Sequence, residues 1–537
     1  MSITVGIHDG HNASVAVIRD GRIELALQEE RITRIKNQGD APARVLESIG
    51  RAPARVALNG LYANYGQWSR SAIENDYDTY PRWKQPLKGT FVDRAYRKRK
   101  AALRERALKR LGIEKAEAVE HHTAHASAAY FTCPFERPLV FTCDGSGDRV
   151  SATVSIGDQR IAEISEHDSI GRLYAQVTRY LGMSPLEHEY KVMGLAPYGN
   201  GSDIARMFLE LFEFQGLVWK RKKGVPSMYG SREFFAKMLA GKRFDAMAAG
   251  AQMFIEGMLT EWIRRAVRET GIRNIACSGG VFMNVKANLA ILEMPEVERM
   301  YVFPSCGDES NSIGAACFAA AKAGEKIEPL GAIYYGDPIT DEEAEAALGG
   351  FNARWCADIE SLVAESLAAG KIVARAKGAV EFGARALGNR SILARADSPS
   401  AVRTINQIIK NRDFWMPFAP SVLAERAADY YDKPKPVDSP YMMFAFASRP
   451  EKRSVFAAAM HPWDFTTRPH EVTEAHNPDY YRLLKEFEAR TGEGIVLNTS
   501  FNLHGGPMVY RARDAVDVFR RSGLERMALG NWWVEKR

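Results

Sequence analysis

One local order occurs twice in this chain and limits what the chain can fold into. It reads apolar strand, Asp-Gly loop, apolar strand, short turn, third strand. The first copy runs Ile3 to His8, breaks at Asp9-Gly10-His11-Asn12, resumes over Ala13 to Ile18, turns at Asp20-Gly21 and ends over Arg22 to Gln28. The second runs Pro138 to Cys143, loops through Asp144-Gly145-Ser146-Gly147-Asp148, and continues over Val150 to Ile156, Gly157-Asp158 and Arg160 to Ser165. The two Asp-Gly loops lie 135 positions apart. Asp-Gly between apolar runs is a hairpin signal, so each copy reads as a three-stranded meander. With 537 residues, the chain exceeds what one core can serve, and two or more domains are expected.

Two meanders facing each other can each offer an Asp-Gly loop to one nucleotide. That is the layout of actin-like and sugar-kinase-like ATPases, so the expected class is α/β. Further strands end in the same style. Ile272 to Cys277 leads into Ser278-Gly279-Gly280-Val281-Phe282-Met283-Asn284, and Tyr301 to Pro304 into Ser305-Cys306-Gly307-Asp308 before a small-residue helix, Ser312 to Ala321. One Gly-Gly turn is commonly just a tight turn. Three glycine turns at strand ends, two of them carrying Asp, point to a shared ligand cleft.

Between the meanders lies His121-His122-Thr123-Ala124-His125. Imidazoles four residues apart share one helix face. Asp144, closing the next apolar run, can complete a metal site with them. The glycines around Asp144 leave backbone N–H groups free for phosphate. Packed or capping histidines remain the plainer reading of His-x-x-x-His alone.

Composition excludes several classes. Hydrophobic residues make up 46% and charged residues 26%, ordinary for a folded protein. No apolar run reaches membrane-spanning length and no basic-then-apolar leader stands at the start, so a cytoplasmic protein without a membrane partner is expected. Six scattered cysteines without a CxxC pair fit reduced thiols. Much of the net charge of +6 sits between Arg94 and Arg110, which includes Arg97-Lys98-Arg99-Lys100. That segment reads as a solvated helix face or as a landing patch for an anionic substrate or nucleic acid.

Around Lys326 to Asp341 the composition shifts to Gly, Pro and charge, which places a domain boundary there. Beyond it, Glu381-Phe382-Gly383-Ala384-Arg385-Ala386-Leu387-Gly388-Asn389-Arg390-Ser391, Asn406 to Phe418, Asp464 to Arg468 and Leu497 to Asn502 are rich in Arg, Asn and Ser. Their setting in glycine-punctuated loops suits a second anion site.

Together these pieces resemble the O-carbamoyltransferases of the NodU/CmcH type. The matching residues are Gly10-His11-Asn12-Ala13, Gln28-Glu29-Glu30-Arg31, His121 to His125, Asp144 to Asp148, Glu189-Tyr190-Lys191-Val192-Met193-Gly194-Leu195-Ala196, Ser278 to Asn284, Cys306-Gly307-Asp308, Glu381 to Ser391 and Asn498 to Asn502. The resemblance implies a TsaD-like domain of the actin-like ATPase fold (the ASKHA class) over residues 1–338, followed by a YrdC-like α/β domain over 339–537. It further implies that the second domain makes carbamoyl adenylate from carbamoyl phosphate and ATP, with Mg accompanying the nucleotide. The first domain then passes the carbamoyl group to an acceptor hydroxyl, the intermediate staying inside the protein. That scheme has chemical sense. The amide nitrogen donates into the carbamoyl carbonyl and makes it a poor electrophile, while AMP is a better leaving group.

By resemblance the metal ligands are His121, His125, Asp144 and Asp308, with His122 the weaker choice. Two imidazoles and two carboxylates fit iron, manganese or zinc, and the family implies iron. His11 is the implied catalytic base or orienter, and a turn-capping histidine is the plainer alternative. Glu189 and Lys191 are placed near the phosphates or the acceptor. Gly145, Ser146, Gly147, Gly279, Gly280 and Asn284 would hold phosphate and adenosine. Arg385, Lys410, Arg468, Asn498 and Ser500 would bind carbamoyl phosphate and the ATP phosphates, with Arg390 assisting or lying on the surface.

The chain departs from the family pattern at Asn12, where Asp is usual, at Ala384 for Pro, at Phe465 for Gly, and at Gly506 for Glu. The acceptor is expected to be a small-molecule alcohol, and the basic segment leaves room for an anionic one, including a hydroxymethylated base in DNA. Family members often pair, so a homodimer is expected. Two other functions compete: a fused tRNA threonylcarbamoyladenosine enzyme and a non-catalytic, ATP-sensing actin-like module.

Overall fold

A computed structural model describes residues 2–49, 55–61, 91–229 and 231–536, with side chains of the helix Phe91–Arg110 described from Lys98 onward. The chain divides into two compact units, Met1–Glu29 with Asn37–Leu330, and Glu30–Lys36 with Gly331–Arg537.

In the first unit each predicted meander forms one sheet. Strands β1 (Ile3–His8), β2 (Ser14–Arg19), β3 (Arg22–Gln28), β4 (Arg55–Asn59) and β5 (Glu117–Val119) lie in the order β3-β2-β1-β4-β5. The next strands are β6 (Leu139–Gly147), β7 (Val150–Ile156), β8 (Gln159–Ser165), the separate hairpin of β9 (Phe212–Gln215) and β10 (Val218–Arg221), β11 (Asn274–Ser278) and β12 (Arg299–Val302). The second sheet orders as β12-β11-β6-β7-β8. In both sheets the meander is antiparallel and the two remaining strands run parallel to its first strand. The same connectivity twice over defines an actin-like ATPase fold of the α/β class.

Helices join the sheets. Asn311–Lys322 packs on β1, β2, β4 and on the helix His121–Thr132, which packs in turn on β6, β7 and β11. Two glycines permit this. A Cβ on Gly6 would sit 1.9 Å from the Ser312 carbonyl oxygen, and one on Gly314 would sit 1.9 Å from that of Ala124. Those distances exclude any side chain at either position.

The loop after β6 differs from the sequence expectation. Pairing with β7 continues to Gly147↔Val150, so Asp144-Gly145-Ser146 is a bulge in the ladder and the true turn is Asp148-Arg149, both at positive φ. A bulge re-aims side chains beside a site, here the carboxylate of Asp144.

The second unit is built on an eight-stranded mixed sheet ordered Asn352–Trp355, Trp532–Glu535, Arg526–Leu529, Val373–Ala376, Arg390–Arg395, Ile495–Ser500, Ala419–Leu423 and His470–Val472. Helices Ile359–Ala368 and Pro478–Thr491 pack together, and Val363, Leu367, Leu483, Leu484, Val496 and Phe487 are buried among them. Glu30–Lys36 belongs to this unit. Arg31 donates to the Gly383 carbonyl at 2.6 Å, and Arg34 donates to those of Met508 and Pro507 at 2.6 and 3.0 Å. The composition shift near residue 330 gives no hint of this crossing, because it is made by two guanidiniums reaching distant backbone.

The cysteines are all free, and five of the six are buried. Among the described residues no helix is long and apolar enough to cross a membrane.

Candidate active site

The helix His121–Thr132 begins where it does because Glu120 caps it, its carboxylate accepting from the N–H groups of His122 at 3.1 Å and Thr123 at 2.7 Å. The His121 N–H donates to Asp148 at 2.8 Å, tying the helix start to the turn after β6. From this start His121 and His125 point at one spot. Asp144 reaches it from the bulge of β6, and Asp308 from the short turn leading into Asn311–Lys322.

The four candidate ligand atoms lie within 4.8 Å of one another. His121 Nε2 is 3.2 Å from Asp144 Oδ2 and 3.5 Å from Asp308 Oδ1, and His125 Nε2 is 3.5 Å from each of the same oxygens. Ser278 Oγ lies 3.3 Å from His125 Nδ1. A proton on Nδ1 shared with that hydroxyl leaves the Nε2 lone pair facing the carboxylates, the orientation a metal ligand needs. Asn311 brings its amide to 3.1 Å from the same Nε2. His122 turns away, with Nδ1 on Thr142 at 2.8 Å and Nε2 on the Val150 carbonyl at 3.0 Å.

Electrostatics matches the geometry. Burial pushes the His121 imidazole down, but Asp308 and Asp144 overcome it and raise its pKa to about 10. His125 is raised in the same way, by hydrogen bonds to both carboxylates. Burial works against ionised Asp144, yet the two imidazoles hold it well below the usual carboxylate range. Asp308 is lowered likewise, chiefly by His121. His122, buried beside other imidazoles, falls to about 3. Two anions thus demand two positive charges from the imidazoles, and a divalent cation meets the same demand.

Other expected residues surround the cluster. His11 Nε2 lies 3.2 Å from Asp308 Oδ2. The Gly145 N–H donates to Asp144 at 2.7 Å. A Cβ on Gly147 would fall 2.0 Å from the His121 ring, and one on Gly280 would fall 2.9 Å from Asp144 Oδ1. Gly279 adopts a φ of +98° against the Cys143 carbonyl. Ser146 is held by Arg172, whose Nη2 donates to its hydroxyl at 2.9 Å, and by the Tyr229 hydroxyl. The Arg172 guanidinium stacks 3.5 Å from the Tyr229 ring centroid, and Tyr229 donates to Glu166 at 3.1 Å. Nothing in the sequence flags Arg172 or Tyr229, which meet Ser146 only in three dimensions.

Asn284 lies in a separate polar group. It caps Val285–Leu292 and donates to Gln252 at 2.8 Å; Gln252 in turn donates to Glu256 at 2.7 Å and accepts from Tyr174 at 3.1 Å. Lys191 is half-buried on the helix Glu189–Leu195, whose first residue has its carboxyl pushed up to about 7 by burial.

In the second unit Lys410 is buried against oxygens. Its Nζ donates to Asn502 Oδ1 at 2.7 Å, to Ser500 Oγ at 3.2 Å and to the Ser500 carbonyl. Burial pushes it well below the usual lysine range. Arg468 is pushed down by burial and by the like charges of Arg385 and Arg412. Arg412 also donates to Thr499 at 3.1 Å. Asn498 donates to the Ala386 carbonyl and to Ser421, and its Oδ1 is buried without a hydrogen-bond partner. Arg390 is neither assistant nor surface residue. It is fully buried and donates to the carbonyls of Tyr510, Gly378 and Lys377. Beside it Glu381 accepts the N–H groups of Leu387, Asn389 and Arg390 at 2.8–3.0 Å. Most of the 381–391 motif therefore shapes its own loop.

Known proteins match this chain in sequence over most of its length. Residues 3–317 match the family model described as carbamoyltransferase N-terminus, and residues 364–536 match carbamoyltransferase C-terminus. The chain belongs to the carbamoyltransferase family. It is 31% identical to nodulation protein NolNO of Sinorhizobium fredii over 98% of this chain and 79% of that protein. It is 28% identical to nodulation protein U of Rhizobium tropici over 93% of this chain and 91% of that protein. Among solved structures, full-length HypF in its phosphate- and nucleotide-bound form aligns with 60% of this chain and 55% of its own, at 12% identity and a TM-score of 0.34. As a family member, the chain is a carbamoyltransferase enzyme.

Proposed function

We propose that this carbamoyltransferase is ATP-dependent and transfers its carbamoyl group to an alcohol. Carbamoyl phosphate, ATP and water give carbamoyl adenylate, pyrophosphate and phosphate at the second unit. The acceptor oxygen then attacks the carbamoyl carbon at the first unit. The bond to AMP breaks, and the hydroxyl proton leaves to a base. The reading is carried by the convergence of His121, His125, Asp144 and Asp308 within 4.8 Å at the meeting of both halves of the actin-like fold. Their donor set fits a divalent iron, manganese or zinc ion, and the family resemblance favours iron. A cation held there supplies a Lewis acid for the carbonyl or charge for the leaving phosphate.

The chain's own residues have separable tasks in this proposal. His11, 3.2 Å from Asp308, takes the hydroxyl proton or aligns its donor. Gly145, Gly147, Gly279 and Gly280 keep the approach to Asp144 free of side chains, and Ser146, Asn284 and Lys191 serve the nucleotide and acceptor. In the second unit Arg385 and Arg468 take the phosphate charges as planar donors. Lys410, Asn498 and Ser500 complete that shell.

The test supplies ATP and carbamoyl phosphate and follows nucleotides and pyrophosphate. Release of AMP and pyrophosphate should require carbamoyl phosphate, and a mass-spectrometric screen of alcohols should find a carbamoyl adduct. ADP as the sole nucleotide product, without any adduct, would sink the proposal. Threonine and bicarbonate should not replace carbamoyl phosphate.

A further inference from the structure

Among the described side chains of the basic helix Phe91–Arg110, one cation faces inward. From Lys98 onward every described Lys and Arg on it is exposed or half-buried except Arg104, which is buried together with Leu108 one turn later. Arg104 holds Asp9 with two bonds, Nε to Oδ2 at 2.7 Å and Nη2 to Oδ1 at 2.8 Å. It also donates to the carbonyls of Gly60, at 2.8 Å, and Asn59. A guanidinium can make this fork and a lysine cannot.

Two routes lead from Arg104 to His11. Asp9 opens the turn Asp9-Gly10-His11-Asn12 that carries it. The second route is through side chains. The Asn59 amide donates to His8 Nδ1 at 2.8 Å, which leaves His8 Nε2–H to donate to the His11 carbonyl at 3.0 Å. Burial keeps His8 neutral, as this pattern requires. The turn has no slack, for a Cβ on Gly10 would fall 2.6 Å from the His8 ring. At its far end His11 Nε2 meets Asp308 at 3.2 Å.

We infer that Arg104 is a positioning residue for carbamoyl transfer, fixing through Asp9 and the Asn59–His8 pair where the His11 imidazole stands beside Asp308. This rests on the proposed role of His11.

The test is a double-mutant cycle in the full-length protein, using Arg104→Lys, Arg104→Gln and Asp9→Asn with and without His11→Ala. Carbamoyl-phosphate-dependent AMP release with water as acceptor reports on both units, and ATP–pyrophosphate exchange reports on adenylate formation alone. Each single variant should slow AMP release roughly ten- to hundredfold, the scale of a small misplacement, with exchange unchanged. In the His11→Ala background the same changes should cost nothing more. Losses that multiply in that background, or an equal loss of exchange, would make Arg104 a structural anchor only and overturn the inference. Wild-type protein that releases no AMP would overturn the carbamoyl-transfer reading itself, and the role of Arg104 with it.

Discussion

His121 Nε2 stands 3.2 Å from Asp144 Oδ2 and 3.5 Å from Asp308 Oδ1, so one imidazole, on the helix that follows β5 of the first sheet, meets carboxylates from β6 and from the turn after β12 in the second. The two carboxylates raise the His121 pKa from 6.5 to about 10. In metal-free protein this contributes stability that is complete below pH 6.5 and lost as the pH climbs through the raised value. Asp144, lowered from 3.8, contributes stability that is present above that value and lost as acid protonates it. The melting temperature of chelator-treated protein should therefore fall as pH rises from 6.5 toward 10. Loading with manganese should remove the fall, because the cation replaces protons on deprotonated imidazoles. An equal slope with and without the metal would contradict the site.

The neighbouring histidines should separate cleanly. His125→Ala removes an Nε2 that faces both carboxylates, and metal retained after dialysis should drop by roughly 100-fold in affinity, within the range for loss of a site group. His122→Ala instead removes one partner of Thr142, which keeps Thr153, and the imidazole donor to the Val150 carbonyl. It should cost about 1–3 kcal/mol of stability in urea melts and leave metal content intact.

Gly147→Ala tests the close approach of β6 to the proposed metal ligands. The added methyl would lie 2.0 Å from the His121 ring, so ring or strand must move. Metal content and alcohol carbamoylation should both fall, while carbamoyl-phosphate-dependent pyrophosphate exchange persists. Normal metal content would show that the strand yields without disturbing the imidazole.

Phe465 holds a φ of +57° where the family pattern has glycine. The Arg453 guanidinium, 4.1 Å from its ring centroid, secures it there. Replacement by Ala keeps the backbone strain and loses the stack, whereas replacement by Gly loses the stack and relieves the strain. Phe465→Gly should be more stable than Phe465→Ala by about 1–2 kcal/mol, read from denaturation midpoints. The reverse order would mean that the loop relaxes out of the left-handed region.

Local chemistry made much of this protein legible in advance. Both meanders, the helix bearing His121 and His125, and the glycine turn after β11 follow from alternation, Asp-Gly turns and i,i+4 spacing, whereas the stretch from Asp144, which reads as a loop, is a bulge within β6. The 381–391 motif was visible as a motif, but its division of labour was not. Whether Arg390 binds a ligand or backbone carbonyls depends on where Tyr510 and Lys377 arrive, and no spacing rule encodes that. Within the basic run, that Arg104 turns inward to Asp9 is likewise set by a residue 95 positions away.

The sequence by itself determined most strands of the first unit and its two sheet-forming repeats, because each depends on neighbours within a few residues. Tertiary structure decided which side chains converge. Asp144 and Asp308 come from β6 and from the turn after β12 of one sheet, while Gly6 and Gly314 let the helix Asn311–Lys322, which follows Asp308, lie close against β1 and against the helix His121–Thr132 that bears the imidazoles. Glu30–Lys36 joined the second unit through the guanidiniums of Arg31 and Arg34. Such outcomes depend on contacts between residues hundreds of positions apart, whose energies appear only once the backbone has closed.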